Sequence, residues 1–257
     1  MTTSNPDSRL ARGGGNATSA GVLFQSGVAS YFGAAMLAEK NIDRFPDMTP
    51  VAPVVVRMET EAPVDDILVE TNAGGFIFIQ AKTRVDFSAG SDSPFTKTVE
   101  QFIRQWLVCA SGSGERHWNR PLDRTRDRLV LAVGSASSNG ITNDLKRALE
   151  AKRAQASAPL PQSQQVAFDR LTRAIDEAWR ASFTTPATEG DIAALTGLID
   201  VLVFDFDGAD QSVIAQIMQG IADSPSEADG AFALLRDAFT TLSVKRLGVD
   251  ANGLRDE

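Results

Sequence analysis

The sequence predicts an α/β protein with a mixed sheet of about five strands flanked by helices, and three observations lead to this prediction. Short β-branched segments alternate along the chain with longer segments of helical periodicity. Two strand segments are joined by Gly74-Gly75, which suits the turn of an antiparallel hairpin. The segments after residue 140 are mainly helical, so we expect a helical C-terminal addition to this α/β core.

Composition limits the functions that are open to this chain. One cysteine, Cys109, excludes a disulfide framework, and one histidine, His117, excludes zinc sites built on two histidines. The net charge of −8 argues against a protein that coats nucleic acid through bulk positive charge. The chain has no unbroken apolar run of membrane-spanning length and no signal-peptide core, so we expect a cytoplasmic protein without membrane contact.

The first predicted element is a buried helix. Residues 1–19 are polar and Gly-rich and are predicted to be flexible. Between residues 21 and 39, Phe24, Val28 and Tyr31 recur at helical spacing, and the other faces carry small residues. This segment is therefore predicted to pack closely against a sheet or another helix.

Three strands are predicted next, at 52–59, 65–71 and 76–82. In the third strand, Gln80 and Lys82 share one face with two phenylalanines, and the isoleucines occupy the other face. The second and third strands form the predicted hairpin.

The remaining elements complete one domain at 20–257, with a core at about 20–140 and a helical extension at 141–257. Ser93 and Pro94 are typical of a helix start. The final residues are polar and are predicted to form no element. The later strands are predicted at 129–133 and 198–206, and the later helices at 140–154, 166–182, 211–222 and 226–245.

The ends of the hairpin carry the residues most suited to chemistry. Asp65 or Asp66 opens one strand, while Gln80 and Lys82 lie near the end of its partner. A carboxylate and an amide oxygen are hard ligands that suit Mg²⁺. A lysine beside them can orient an attacking water and offset charge on a phosphate. The alternative is a turn followed by a lysine that reaches solvent.

The pattern is an acid at the start of one hairpin strand and Gln80-Ala81-Lys82 at the end of the next strand. It resembles the PD-(D/E)xK nuclease superfamily. It is most similar to the Mrr-like restriction endonucleases, in which Gln replaces the usual acid. The segment 13–32, GGGNATSAGVLFQSGVASYF, resembles the first helix of nuclease domains in bacterial anti-phage effectors that carry a SAVED sensor or an NTPase. The resemblance spans roughly residues 12–108 and implies a restriction-endonuclease-like fold for the core.

The resemblance implies roles for individual residues. Asp66 or Asp65, together with Gln80, would bind the metal, and Lys82 would be the catalytic lysine. The Mrr-like spacing favours Asp65, whereas the defence-type pattern favours Asp66. Two further candidates follow from it: Glu59 as an additional acid and Gln25 at a helix position where relatives often have Glu. Mg²⁺ is the implied cofactor, with Mn²⁺ as an alternative.

A second motif lies near the end of the predicted strand 198–206. Asp205-Phe206-Asp207-Gly208 resembles the nucleophile motif of haloacid-dehalogenase-like phosphatases. Ala209 replaces the expected Thr or Val, and the residues that follow are too few for the rest of that fold. A strand that ends in a polar turn is the alternative, and we expect both aspartates to be dispensable for catalysis.

The polar connection 111–128 is rich in arginine and has two interpretations. Its arginines could contact a DNA backbone beside the active site, or they could form internal ion pairs in a solvated loop. The candidate DNA-binding residues are Arg116, Arg120, Arg124, Arg126 and Arg128.

The sequence thus predicts a metal-dependent endonuclease that cleaves DNA, expected to be double-stranded, as the effector domain of an anti-phage defence protein. An inactive nuclease fold that binds DNA or oligomerises is the alternative, and a phosphatase is the third. The resemblance implies a C-terminal sensor or NTPase domain in the full-length protein. We expect the active form to be a homo-oligomer, because a chain with a net charge of −8 should bind DNA weakly as a single copy.

Overall fold

A computed structural model describes residues 14–88, 92–112, 115–155, 157–183 and 185–256. Within these ranges the protein is an α/β fold with a six-stranded mixed sheet. The strands are β1 (Pro53–Met58), β2 (Ile67–Thr71), β3 (Phe76–Lys82), β4 (Arg128–Gly134), β5 (Ile199–Phe204) and β6 (Gly248–Asp250).

The strand order across the sheet is β5-β4-β3-β2-β1-β6. Strands β1, β2 and β3 form an antiparallel meander, and β6 pairs antiparallel with β1. Strands β3, β4 and β5 are parallel, so their carboxyl ends lie at one edge of the sheet.

Helices cover both faces of the sheet. They are α1 (Gly14–Leu37), α2 (Pro94–Ser111), a π-helical turn (Gly140–Leu145), α3 (Lys146–Arg153), α4 (Gln162–Ser182), α5 (Glu189–Leu198), α6 (Ala209–Met218), α7 (Pro225–Lys245) and α8 (Ala251–Asp256). Residues from α1, α6, α7 and α8 pack on one face, and residues from α2 to α5 pack on the other.

The alternation predicted for β3 is confirmed. Ile77 and Ile79 lie in the core beside α1, and Phe76 and Phe78 lie in the core beside α2. All four side chains are buried, because both faces of the sheet are covered.

Helix α1 crosses the centre of its layer. Its segment Ser19–Leu37 is long and apolar enough to pass a length-and-composition test for a membrane span, but 78% of that segment is buried inside the protein. A buried core helix explains such a composition. Two glycines allow its close packing, since a Cβ on Gly27 would lie 2.7 Å from Phe206 and a Cβ on Gly33 would lie 2.5 Å from Phe239.

The start of α2 is confirmed where Ser93 and Pro94 predict it. The Ser93 side chain accepts a hydrogen bond from the Thr96 amide, and Pro94 occupies the first helical position. The helix ends at Gly112, whose φ of 58° is the left-handed conformation that glycine favours.

Three sequence predictions need correction. Residues 14–19 were predicted to be flexible but belong to α1, while the prediction for residues 1–13 lies outside the described residues. The sheet has six strands rather than about five, because β6 was not predicted, whereas β5 lies within the predicted strand 198–206. The final residues form β6 and α8, because Val249 pairs with Val56 at the edge of β1.

Helix α5 was also missed, although its start carries a signal. Thr188 and Asp191 form a capping box in which each side chain binds the other residue's amide. A Thr with Asp three residues later is a recognisable helix start, and the short length of α5 hid its periodicity.

The close packing of α1 gives a first prediction. Gly33→Ala should lower the free energy of unfolding by about 1 to 2 kcal/mol, because the clash with the Phe239 ring outweighs the better helix propensity of alanine. Gly21→Ala should instead raise the free energy of unfolding by up to about 1 kcal/mol, because no neighbouring atom lies within 4 Å of the added Cβ. Urea unfolding of both variants measures the difference, and equal effects would contradict the packing argument.

Candidate active site

The register of the β2–β3 hairpin brings the predicted residues together. Ile67 pairs with Ile79, so Asp66, one residue before Ile67, lies across from Gln80. Lys82 follows two residues later and projects from the same face as Gln80. The site therefore lies at the carboxyl end of β3, on the face that packs against α2.

The Asp66 carboxylate is the centre of the site. Its Oδ2 accepts hydrogen bonds from the Ala81 amide at 2.7 Å and from the side-chain amide of Gln80. The Lys82 ammonium lies 3.6 Å from the same oxygen. The Asp66 side chain is 15% exposed and the Lys82 side chain 33%, so the lysine lies at the mouth of the site.

Gln80 presents a buried oxygen that no described residue binds. The residue is 2% exposed, its Nε2 donates to Asp66, and its Oε1 has no hydrogen-bond partner among the described residues. A buried acceptor without a partner costs free energy unless a donor or a cation reaches it. The Gln80 oxygen and the Asp66 carboxylate therefore fit a hard cation such as Mg²⁺, which takes few protein ligands and keeps several waters.

Asp65 is directed elsewhere. Its Oδ1 accepts a hydrogen bond at 3.1 Å from Nε2 of Gln101 on α2. The structure thus brings Asp66, rather than Asp65, to Gln80 and Lys82. Gln101 was not predicted from the sequence, although its i, i+4 spacing from Gln105 on the predicted helix was a usable signal.

Glu59 and Gln25 lie beside the start of β2. The Gln25 amide nitrogen donates to Glu59 Oε1 at 2.9 Å and to the Asp66 carbonyl at 2.8 Å. Glu59 has a φ of 48°, a left-handed conformation that is uncommon for glutamate, and its amide donates to the same carbonyl at 3.0 Å. Both residues therefore hold the backbone of Asp66, and the Glu59 carboxylate accepts a hydrogen bond from Gln25 on α1.

The acids of the site are few. Among the described ranges, no group of three or more His, Cys, Asp or Glu side chains could hold a metal ion. Positions 25 and 80, which lie beside Asp66, are glutamines and add no carboxylate to the site. A cation at this place would therefore meet the carboxylate of Asp66 and the neutral oxygen of Gln80.

Burial raises the pKa of Asp66 to about 6 from its ordinary 3.8. The nearby Lys82 ammonium and the Ala81 amide oppose this shift, and the charges of Asp65 and Glu59 add to it. The folded protein therefore favours the protonated carboxyl below about pH 6 and contains a costly buried charge above it.

Three arginines of the arginine-rich connection, Arg120, Arg126 and Arg128, lie at the opposite end of the hairpin from this site. Arg120 binds both Asp127 carboxylate oxygens at 2.7 and 2.9 Å and the carbonyl of Gly74 at 2.7 Å. Gly74 belongs to the turn at the other end of the hairpin, and β3 is about 20 Å long. Arg126 lies beside the same turn and pairs with Asp123 at 3.6 Å.

Arg128 is the clearest departure from the predicted DNA surface. Its side chain is 0% exposed and binds Asp47 at 2.7 Å, with Asp200 4.0 Å away. A guanidinium in this position is out of reach of a phosphate backbone, so the DNA-binding prediction for Arg128 is wrong.

Arg124 is exposed near this end of the sheet, and Arg116 pairs with Glu61 in the segment after β1. Ion pairs within the connection are formed by Arg120 with Asp127 and by Arg126 with Asp123, whereas Arg116 and Arg128 pair with residues outside it.

The second motif forms a polar turn between β5 and α6. The Asp205 amide donates to the Asp210 carboxylate at 2.6 Å, and Asp210 forms an ion pair with Arg44. Phe206 turns into the core against Phe232. The structure thus matches the interpretation of a strand that ends in a turn.

Comparisons with known proteins add to this geometry. Neither a protein-family profile nor a curated protein sequence matches the chain. Similar solved structures include the Cap4 SAVED/CARF-domain containing receptor of Moraxella osloensis, at 13% identity and a TM-score of 0.48 over 92% of this chain and 46% of that one. They also include the Cap4 SAVED/CARF-domain containing receptor of Acinetobacter baumannii with the cyclic trinucleotide 3'3'3'-cAAA, at 8% identity and a TM-score of 0.50 over 92% of this chain and 44% of that one.

The similarity to the Acinetobacter structure is one of fold. An identity of 8% leaves almost no side chains in common, so the shared feature is the path of the backbone. The chain spans less than half the length of either solved receptor.

The raised pKa of Asp66 predicts a stability change with pH. Folding takes up a proton between about pH 3.8 and 6, so Asp66 lowers the free energy of unfolding as pH rises through that window. Asp66→Asn keeps an oxygen for the Ala81 amide and removes the buried charge. It should raise the free energy of unfolding by about 1 to 3 kcal/mol at pH 7.5 and change it little at pH 3.5.

Urea unfolding of the metal-free protein between pH 3.5 and 8 measures this effect. Asp229→Asn is the control, because Asp229 is an exposed residue of α7. If the free energy of unfolding of Asp66→Asn changes with pH in parallel with that of the wild type, the pKa of Asp66 is not raised by burial.

Proposed function

We propose that this chain is a metal-dependent DNA endonuclease with a restriction-endonuclease-like fold. The observation that carries the proposal is the meeting of three groups at one end of the hairpin. They are the Asp66 carboxylate, the Lys82 ammonium 3.6 Å from it, and the buried Gln80 oxygen that no described residue binds. A carboxylate, a neutral oxygen and a cation suit the hydrolysis of a phosphodiester.

The fold supports this proposal. The chain runs from a buried helix through a three-stranded antiparallel meander to α2 and then to a parallel strand, β4. This is the order of helix, strands and helix on which the resemblance to the PD-(D/E)xK nucleases rests. Helices α3 to α8 and strands β5 and β6 are additions to that core.

Asp66 and Gln80 would hold Mg²⁺, or Mn²⁺ in its place. When bound, such an ion polarises a phosphoryl oxygen and lowers the pKa of water. The chain's own part is to hold the Asp66 carboxylate in one orientation through the Ala81 and Gln80 amides. The buried position of Gln80 excludes water from one side of the site.

Lys82 provides the positive charge that the substrate meets. Its ammonium is partly exposed and is held near Asp66, so it can donate a hydrogen bond to a water or to a phosphate oxygen at the mouth of the site. A cation in this place offsets the negative charge that builds up on the phosphate during attack. Glu59 and Gln25 assist by fixing the Asp66 backbone.

A role in anti-phage defence is the wider part of the proposal. The first-helix resemblance and the fold shared with a Cap4 receptor support it. We propose that the full-length protein joins this domain to a sensor or an NTPase and that the active form is a homo-oligomer. With a net charge of −8, several copies would be needed to hold a polyanion firmly.

The proposal predicts that Lys82→Ala loses plasmid cleavage by at least about 10²-fold. The melting temperature should change little, because the side chain is partly exposed. Lys146→Ala is the matched control, since Lys146 on α3 is also a partly exposed lysine and pairs with the acidic Glu150 at 3.8 Å. The assay is supercoiled plasmid with Mg²⁺ or Mn²⁺, followed by gel electrophoresis.

Retained cleavage in Lys82→Ala would remove the lysine from the mechanism. DNA binding without any cleavage by the wild-type chain would favour the inactive nuclease fold instead. Asp65→Ala and Asp66→Ala made separately test the ligand assignment, and we expect Asp66→Ala to abolish cleavage.

A further prediction concerns the turn after β5. Asp205→Asn and Asp207→Asn should each retain plasmid cleavage within a factor of about two, because this turn is stabilised by Asp210 rather than by the site. Neither variant should change activity towards a generic phosphomonoester, which we expect to be absent in the wild type. Loss of all cleavage in a folded Asp205→Asn protein would contradict this assignment.

A further inference from the structure

Helix α2 carries two glutamines, one turn apart, that bind the segment leading to Asp66. Gln101 Nε2 donates to Asp65 Oδ1 at 3.1 Å. Gln105, which is fully buried, accepts a hydrogen bond from the Val64 amide at 3.3 Å. Gln101 and Gln105 lie on one face of α2, because they are four residues apart. They therefore bind two adjacent residues, Asp65 and Val64.

A buried thiol fixes the orientation of Gln105. Its Nε2 lies 3.3 Å from Cys109 Sγ, and the Cys109 thiol donates in turn to the Trp118 carbonyl at 3.5 Å. Because the amide nitrogen of Gln105 is directed to the sulfur, its oxygen faces Val64. Cys109 is free and buried, so this chain of contacts is closed to solvent.

The position of Asp66 depends on this segment. Strand β2 begins at Ile67, so Asp66 lies just outside the ladder. Its backbone is held from one side by Glu59 and Gln25. On the other side, the residues before it are held by α2 through Gln101 and Gln105.

We propose that Gln101 and Gln105 are positioning residues that direct Asp66 towards Gln80 and keep Asp65 turned away. The inference rests on the proposed function, since it assigns Asp66 as the ligand. Without Gln101, Asp65 is free to swing towards the site and to compete with Asp66 for the cation. Groups that orient a metal ligand through hydrogen bonds typically change metal affinity or activity by 10- to 100-fold when they are removed.

The test uses the full chain and Mn²⁺ as the probe. Gln101→Leu and Gln105→Leu should each bind Mn²⁺ about 10- to 100-fold more weakly by calorimetry and should lower kcat for plasmid more than they raise KM. Hydrogen exchange at the Val64 amide should become faster in Gln105→Leu. Gln165→Leu is the matched control, because Gln165 binds Asp169 at 2.7 Å on the exposed side of α4.

A rescue variant separates positioning from stability. The double variant Asp65→Asn/Gln101→Glu reverses the donor and the acceptor and should recover most of the Mn²⁺ affinity that Gln101→Leu loses. A purely structural role would lower the melting temperature and leave Mn²⁺ affinity unchanged.

Two outcomes distinguish the failures. If the wild type binds Mn²⁺ and the folded glutamine variants bind it equally well, the positioning role is wrong and the nuclease proposal stands. If the wild type neither binds Mn²⁺ nor cleaves DNA, the proposed function fails and this inference fails with it. Should Gln105→Leu not fold, Gln101→Leu, at a partly exposed position, decides the question alone.

Discussion

The register between β2 and β3 is the constraint on which the rest of the site depends. Ile67 pairs with Ile79, and this places Asp66 opposite Gln80. Both faces of the hairpin are buried, so a slip of one residue would move every apolar side chain into the wrong core and bring Asp65 to the position of Asp66. The apolar packing of the two strands therefore selects which of two adjacent carboxylates meets the lysine.

The site is held by one helix from each face of the sheet. Helix α1 reaches it through Gln25, and helix α2 reaches it through Gln101. Gly33 brings α1 close to Phe239 of α7, and Gly27 brings it close to Phe206 after β5, so the position of Gln25 depends on packing along the whole helix. Each core thus contributes to the orientation of a single aspartate, and this links the stability of the domain to the geometry of its candidate active site.

Local patterns predicted much of this structure. The shared face of Gln80 and Lys82 follows from the two-residue period of a strand, which needs no knowledge of the fold. The choice between Asp65 and Asp66 needed the register and the contact from Gln101, and both depend on residues distant in sequence. Arg128 was a candidate for DNA contact, but β4 runs parallel to β3, so Arg128 at its start lies at the opposite end of these strands from Lys82. That pairing joins strands distant in sequence and was not predictable from the arginine pattern.

The strand β6 has a consequence for how the chain folds. It covers the outer edge of β1, and its residues come from near the end of the sequence. During synthesis, β1, β2 and β3 can pair early, but the edge of β1 stays open until residues 248–250 leave the ribosome. An open strand edge invites pairing with other chains. Nascent copies should therefore be most prone to self-association before this last strand is added, and chaperone binding should be most useful during that interval.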